Sequence, residues 1–116
     1  MTLLLVALGG AVGAPARYVV DRLVTTRWPS AFPWGTFVVN MSGCLLLGLL
    51  AGAALAAPTF ALLGIGFCGA YTTYSTFGYE AVALAQRQQR RAALLYVLGS
   101  VTLGIGLAAA GYVLAS

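Results

Sequence analysis

Hydrophobic positions along the chain form four long blocks, separated by short stretches that hold nearly all of the charges. A helix needs about 20 apolar residues to cross the hydrocarbon core of a membrane, so each block is long enough for one span. We therefore predict an all-α membrane protein with one domain, residues 1–116, and a tight turn at Pro58 and Thr59. The predicted spans are residues 2–20, 33–57, 60–79 and 92–115.

Composition supports this prediction and excludes several classes of protein. Charged residues make up 7% of the chain and hydrophobic residues 61%, whereas about a quarter of a soluble domain is charged. The net charge of +4 does not indicate a nucleic-acid partner, because the arginines stand between apolar blocks and form no basic face. An enzyme is not expected either, since the chain has no His, no Lys and no paired carboxylates for acid–base chemistry.

The arginines predict how the chain is oriented in the membrane. Arg22 and Arg27 follow span one, and Arg87, Arg90 and Arg91 follow span three, so all five belong to connections on the same side. The opposite side carries no Lys or Arg. The positive-inside rule therefore places both Arg-bearing connections in the cytoplasm and both termini outside.

Span three has an unusual polar composition for a membrane helix. Its residues 64–76 contain three glycines followed by four Ser or Thr residues. Gly and Thr are poor helix formers, and hydroxyl groups compete for backbone hydrogen bonds. We predict a helix broken near Gly69 to Thr73, with a continuous, Gly-kinked helix as the alternative. A break frees carbonyl oxygens that suit a cation and N–H groups that suit an anion.

Polar residues at membrane depth are costly and therefore mark either helix–helix hydrogen bonds or a binding site. Thr36 and Asn40 of span two stand four residues apart on one helix face. Thr36 is expected to hold the bundle together, whereas Asn40 can equally offer donors and acceptors to an ion. Tyr96 and Ser100 repeat the same spacing in span four.

Aromatic and charged side chains complete the set of candidates. Tyr74 and Phe77 can share a helix face, and the positive edges of their rings can hold an anion without a full charge. Packing is the alternative for both rings. Arg17 either extends its guanidinium to the headgroups or concentrates anions in a vestibule. Glu80 would repel anions, so we expect it to face a cation, a hydrogen bond or the helix packing.

Small residues predict close helix packing. Gly9 with Gly13 and Gly48 with Gly52 form GxxxG motifs, which let membrane helices approach closely. Span four carries further glycines at positions 99, 104 and 106. Four helices make a thin bundle with little room for a polar pathway, so we expect a functional unit of at least two subunits.

The run GFCGAYTTYSTF, residues 66–77, resembles the Fluc (CrcB) family of fluoride-specific ion channels. Three other segments agree with this resemblance in order and spacing. They are GGAVGA with the following Arg17, GTFVVN with the following Gly43, and the pair Tyr96 and Ser100. The resemblance covers nearly the whole chain.

This resemblance implies an antiparallel, inverted dimer with two pores, each lined by both subunits. It implies a structural sodium ion, not transported, held by the backbone carbonyls of Gly69 and Thr72. The implied fluoride pore consists of Asn40, Tyr74, Ser75, Thr76, Phe77, Tyr96 and Ser100. The implied supporting residues are Arg17, Thr36, Thr73 and Glu80. Tyr74 departs from the family's usual phenylalanine, and Gly104 stands where some relatives carry a hydroxyl group.

By resemblance, the function is passive export of fluoride across the bacterial cell (inner) membrane. Hydrogen fluoride enters from acidic surroundings and dissociates in the cytoplasm, and the channel lets the anion leave. The one-sided arginines favour pairing with a similar subunit of opposite orientation over pairing with an identical copy. One alternative is a small multidrug exporter, although span one lacks the carboxylate that such pumps need. The other is a membrane protein without a selective site.

Overall fold

The computed structural model of the protein describes residues 1–30 and 32–116, and every regular element in this part of the chain is helical. Helix α3 covers residues 57–71 in three consecutive stretches: Ala57–Phe60, a π-helical Ala61–Cys68, and Gly69–Tyr71. The other helices are α1 (Thr2–Arg27), α2 (Trp34–Gly52), α4 (Ser75–Gln86) and α5 (Arg90–Ala115).

Helices α1, α2 and α5 are each long and apolar enough to cross a membrane, with mean hydropathies of 1.7, 1.7 and 2.0 over their most apolar windows. They correspond to the first, second and fourth predicted spans. Helices α3 and α4 together cover the third. The protein is thus an all-helical chain of four helical segments, the third of which is interrupted.

The interruption of the third segment lies at residues 72–74, where helical bonding stops. Thr72 has φ −79° and ψ 158°, an extended conformation that ends α3. Helical conformation resumes at Ser75. The prediction of a break near Gly69 to Thr73 is therefore confirmed, and the alternative of a continuous, kinked helix is wrong.

The connection between α2 and α3 differs from the predicted turn at Pro58 and Thr59. Helix α2 ends at Gly52, and residues 53–56 form the connection, with Ala54 in the left-handed region at φ 53°. Pro58 lies in the first turn of α3, where a missing N–H group costs no helical hydrogen bond. The proline therefore starts a helix and does not mark the turn.

Glycines bring α2 and α5 into backbone contact, as the GxxxG motif predicted. A Cβ atom added at Gly48 would overlap the carbonyl oxygen of Ala108, and one at Gly52 would overlap that of Tyr112. From the opposite helix, a Cβ at Gly111 would lie 2.6 Å from the carbonyl oxygen of Leu45. The two helix axes can approach this closely only because no side chain separates them.

Helix α1 packs against α3 in the same manner. A Cβ atom at Gly9 would overlap the carbonyl oxygen of Leu62, and one at Gly13 would overlap that of Phe67. Both predicted GxxxG motifs are thus confirmed as packing surfaces. In α5, a Cβ atom added at Gly104 would lie 3.3 Å from the sulfur of Cys44, whereas one at Gly106 would have no neighbour within 4 Å among the described residues.

Candidate functional site

Asn40 of α2 holds the broken segment through two hydrogen bonds. Its Nδ2 group donates to the carbonyl oxygen of Thr73 over 3.0 Å, and the N–H group of Thr73 donates to its Oδ1 atom over 2.9 Å. The side-chain amide thus pairs with both polar groups of one residue of the break. Asn40 is half-buried, so these bonds form where little water is available to replace them.

Within the described residues, the break leaves the carbonyl groups of residues 69–72 without their helical donors, and those of Gly69 and Thr72 are two of them. In a continuous α-helix the carbonyl of Gly69 would accept from the N–H of Thr73, and the carbonyl of Thr72 from the N–H of Thr76. The N–H of Thr73 instead donates to Asn40, and the N–H of Thr76 donates to Oγ1 of Thr73 over 3.3 Å. The two carbonyls that the resemblance assigned to a cation are thus among those that lack their usual donors.

A second contact between α2 and α3 lies beside the first, and sequence reasoning missed it. The hydroxyl groups of Ser42 and Tyr71 are hydrogen-bonded at 2.9 Å, and Ser42 Oγ also donates to the carbonyl of Val39 over 3.1 Å. Gly43 faces the side chain of Thr72 so closely that a Cβ atom there would overlap it. The available signal was a serine two residues after Asn40 at membrane depth.

An open groove of about 660 Å³ runs between α2, the broken segment and α5. Its lining includes seven of the predicted site residues: Asn40, Gly69, Thr72, Thr73, Tyr74, Phe77 and Ser100. Most of the remaining lining is apolar, including Leu47, Phe60 and Ile65. The groove therefore combines a hydrophobic wall with a small number of polar groups, as ligand sites commonly do.

Ser100 provides the least satisfied polar group of this groove. The residue is 8% exposed, and within the described residues its Oγ atom has no hydrogen-bond partner. Burying a hydroxyl group without a partner costs about 1–3 kcal/mol by protein mutational data. Such a group is expected to find its partner in something that enters the groove.

Three aromatic rings form a chain from the groove into the protein. The centroids of Tyr74 and Phe77 lie 6.4 Å apart, and those of Phe77 and Tyr96 lie 4.9 Å apart, both in tilted arrangements. Tyr74 is 87% exposed on the open side, whereas Tyr96 is fully buried at 0% exposure. Phe77 is the ring whose edge can serve the groove, because it lies between the exposed and the buried tyrosine.

Glu80 accepts a hydrogen bond from the hydroxyl group of Tyr96 over 3.4 Å, which is one of the three arrangements expected for this carboxylate. It lines a cleft of about 230 Å³ that also contains Asp21 and Arg87. The hydroxyl of Tyr96 thus points toward an acidic group and away from the groove. The structure does not bring Tyr96 and Ser100 onto one continuous polar surface within a single copy.

A second cleft of about 230 Å³ holds the remaining supporting residues. Arg17, Thr36, Thr73 and Thr76 line it together, and Arg17 is half-buried there. Thr73 lines both this cleft and the groove, so the two spaces meet at the break. Ser75 is exposed at the first residue of α4. Of the predicted pore residues, Ser75, Thr76 and Tyr96 do not line the groove, and Ser75 and Tyr96 line neither space.

Comparison with known proteins gives a consistent result. The profile of a family described as "CrcB-like protein, Camphor Resistance (CrcB)" matches residues 4–112. The chain is 52% identical over 116 residues, all of both chains, to "Fluoride-specific ion channel FluC 2" of Rhodococcus jostii (strain RHA1). It is 51% identical to FluC 1 of Streptomyces avermitilis, covering 96% of this chain and 93% of the relative. FluC 2 of Clostridium acetobutylicum is 40% identical, covering 90% of both chains.

Proposed function

Because this chain belongs to the CrcB-like family of fluoride-specific ion channels, we propose that it lets cytoplasmic fluoride leave the cell passively and so reduces fluoride toxicity. It is a multi-pass membrane protein and not an enzyme. The membership also removes the multidrug exporter as an alternative.

The unpaired, buried hydroxyl of Ser100 is the observation that carries this proposal. Fluoride is small and tightly hydrated, so a pore must replace its water with closely placed donors. Ser100 offers an O–H group, and Phe77 offers the positive edge of its ring on the same groove. Asn40 has one N–H of its amide left after its bonds to Thr73. These groups bind an anion without any lysine or arginine inside the groove, which keeps binding weak enough for release.

The groove is open along one side, and this opening supports assembly with a second subunit. Its open edge carries Tyr74 and Ile65, which are 87% and 54% exposed, so a covering surface would bury a large apolar area. Covering it would also exclude water from the donors, which strengthens their interaction with an anion. We infer an antiparallel dimer in which each of two pores is completed by the neighbouring subunit.

A structural sodium ion fits the broken segment of this chain. The carbonyls of Gly69 and Thr72 have lost their helical donors, and both residues line the open groove where a second subunit would supply further carbonyls. Neutral carbonyl oxygens are suitable ligands for a hard monovalent cation. The ion would hold two broken helices together with a positive charge at the centre of the dimer and would not be transported.

The arginines support an orientation with both termini outside and the Arg-bearing connections in the cytoplasm. Arg22 and Arg27 lie toward the end of α1, and Arg90 and Arg91 open α5, so all four flank the same two connections. A chain that inserts in only one orientation cannot form an antiparallel pair with its own copies. We therefore propose a similar subunit of opposite charge bias as the partner in the cell.

Reconstitution into liposomes tests fluoride conduction directly. Detergent removes the orientation that biosynthetic insertion imposes, so copies of this chain can then pair in either direction. We expect sodium-containing liposomes with the protein to release fluoride well above protein-free liposomes, with chloride release at background. An ion-selective electrode measures both. Equal release of the two anions would indicate a non-selective lesion, and no fluoride release would contradict the proposed function.

Fluoride resistance in cells tests the partner. Expressed alone in a fluoride-sensitive bacterium, the chain should give little protection, because its copies share one orientation. Co-expression with a copy whose five connection arginines are replaced by Gln, with Lys placed at residues 53–56, should restore growth in fluoride. Full protection by the unaltered chain alone would overturn the proposed partner and would leave fluoride conduction intact.

A further inference from the structure

We propose that α2 acts as a template that keeps the third segment open, with Asn40 and Thr73 as positioning residues for the carbonyls of Gly69 and Thr72. This inference deepens the proposed function and rests on it. It assigns Asn40 a role toward the cation in addition to any contact with fluoride.

Asn40 first removes the donor that would close the helix at Gly69. The N–H of Thr73 would reach the carbonyl of Gly69 if α3 continued by one more residue. Oδ1 of Asn40 accepts this N–H at 2.9 Å instead. The same side-chain amide also donates a hydrogen bond, from its Nδ2 group to the carbonyl oxygen of Thr73 over 3.0 Å. Opening the helix therefore costs no net hydrogen bond at Thr73.

Thr73 repeats this exchange one step further along the chain. Its Oγ1 atom accepts the N–H of Thr76 at 3.3 Å, which caps the first turn of α4. That N–H would otherwise pair with the carbonyl of Thr72. The side-chain oxygens of Asn40 and Thr73 thus accept the two N–H groups that would otherwise bind backbone carbonyls. The carbonyls left free by this exchange are those of Gly69 and Thr72, and both of these residues line the groove.

Contacts beside Asn40 fix the position of the break along α2. Tyr71 ends α3 with its hydroxyl 2.9 Å from Ser42 Oγ, and Gly43 leaves the space that the Thr72 side chain occupies. The segment 40–43 of α2 therefore contacts each of the three residues 71–73 in turn. A shift of the break by one residue would separate these pairs and bring Thr72 against a different position of α2.

The template matters because the membrane interior favours closing the helix. Unpaired carbonyls in an apolar environment are costly, and a continuous helix would satisfy them internally. Without the amide of Asn40, the N–H of Thr73 has only the carbonyl of Gly69 within helical reach. Removing the template should therefore weaken sodium binding even when the protein stays folded.

Sodium-dependent thermal unfolding, measured without fluoride, tests this inference. The shift of the unfolding midpoint is titrated with NaCl against N-methylglucamine chloride at equal ionic strength. We expect Thr73→Val to raise the half-saturating sodium concentration by about fivefold, the factor that corresponds to one hydrogen bond worth about 1 kcal/mol. Thr73→Ser keeps the Oγ acceptor and should titrate like the unaltered protein. Asn40→Leu should abolish the sodium-specific shift.

Each result of this titration has a distinct meaning. A sodium titration of Thr73→Val and of folded Asn40→Leu that matches the unaltered protein would overturn the template. The absence of any sodium-specific shift in the unaltered protein would do the same. Fluoride release is measured in parallel on the unaltered protein. If it is absent while the sodium shifts follow the expected order, the proposed function fails and the template stands.

Discussion

Replacing Gly48 by Val should prevent the chain from folding into a stable bundle. Even the first carbon of a side chain at this position would overlap the carbonyl oxygen of Ala108 and lie 2.8 and 2.9 Å from the carbonyl carbon and Cα of the same residue. These are backbone atoms and cannot move aside as a flexible side chain can. Helices α2 and α5 would have to separate over the length where Gly52 and Gly111 also make backbone contact.

The expected cost is at least about 3 kcal/mol, the upper part of the range for overpacked sites, because backbone is displaced on both helices. A cost of this size removes a large share of the about 5–15 kcal/mol by which a domain is stable, so the unfolding midpoint should fall steeply. Size-exclusion chromatography of a fluorescent fusion in detergent measures the folded fraction, and thermal unfolding measures the midpoint. A monodisperse Gly48→Val protein with an unchanged midpoint would contradict the close approach of α2 and α5.

Gly106 provides the matched control on one of the same two helices. It is exposed, and no atom of residues 1–30 or 32–116 lies within 4 Å of the position that its Cβ would take. Gly106→Val should therefore remain folded, with a midpoint near that of the unaltered chain. If both variants failed equally, the cause would lie in the valine itself and not in the contact at Gly48.

Ser100→Ala should reduce fluoride release from liposomes by about tenfold or more while leaving the protein folded. The Oγ atom has no partner within the described residues, so its removal breaks no hydrogen bond of the folded chain. It does remove a donor to an anion, and hydrogen bonds to charged groups contribute about 1.5–3 kcal/mol. The measurement is the initial rate of fluoride release at matched protein content, with the thermal midpoint as the test of folding.

Thr102→Ala is the control for this substitution. Thr102 lies two residues further along α5, is exposed, and donates its hydroxyl to the carbonyl of Leu98 over 2.7 Å. Its hydroxyl is already occupied and does not line the groove, so fluoride release should stay within about twofold. Equal release by Ser100→Ala and the unaltered protein would exclude Ser100 from the ion pathway and would remove the main support for the groove as the pore.

Local chemistry made part of this fold predictable from the sequence. The break could be predicted because Gly and Thr are poor helix formers and no lipid-facing backbone can remain unpaired. The GxxxG contacts could be predicted because small residues permit close approach in a membrane. The turn after α2 was misplaced because Pro58 is equally compatible with a turn and with the first helical position.

The partners within the site could not be predicted from the sequence. Asn40 and Thr73 are 33 residues apart, and their pairing depends on the register between α2 and α3. The register in turn depends on the glycine contacts of α1 with α3, and spacing along one helix does not report it. Polar residues on a single helix face indicated that Asn40 has a partner, and tertiary packing decides that the partner is the backbone of Thr73.

The π-helical stretch Ala61–Cys68 has a consequence for how the family can tolerate insertions and deletions. Each π bond encloses one residue more than an α bond, so residues after the stretch are out of phase with those before it by about one position, or about 100° around the axis. Deleting a single residue such as Leu63 should relax this stretch to an α-helix and leave Gly69 in nearly the same orientation, because the deletion removes the extra residue that the π bonds accommodate. A relative that is one residue shorter between Pro58 and Gly69 can therefore keep the same arrangement at the break, with an α-helix in place of the π-helical stretch.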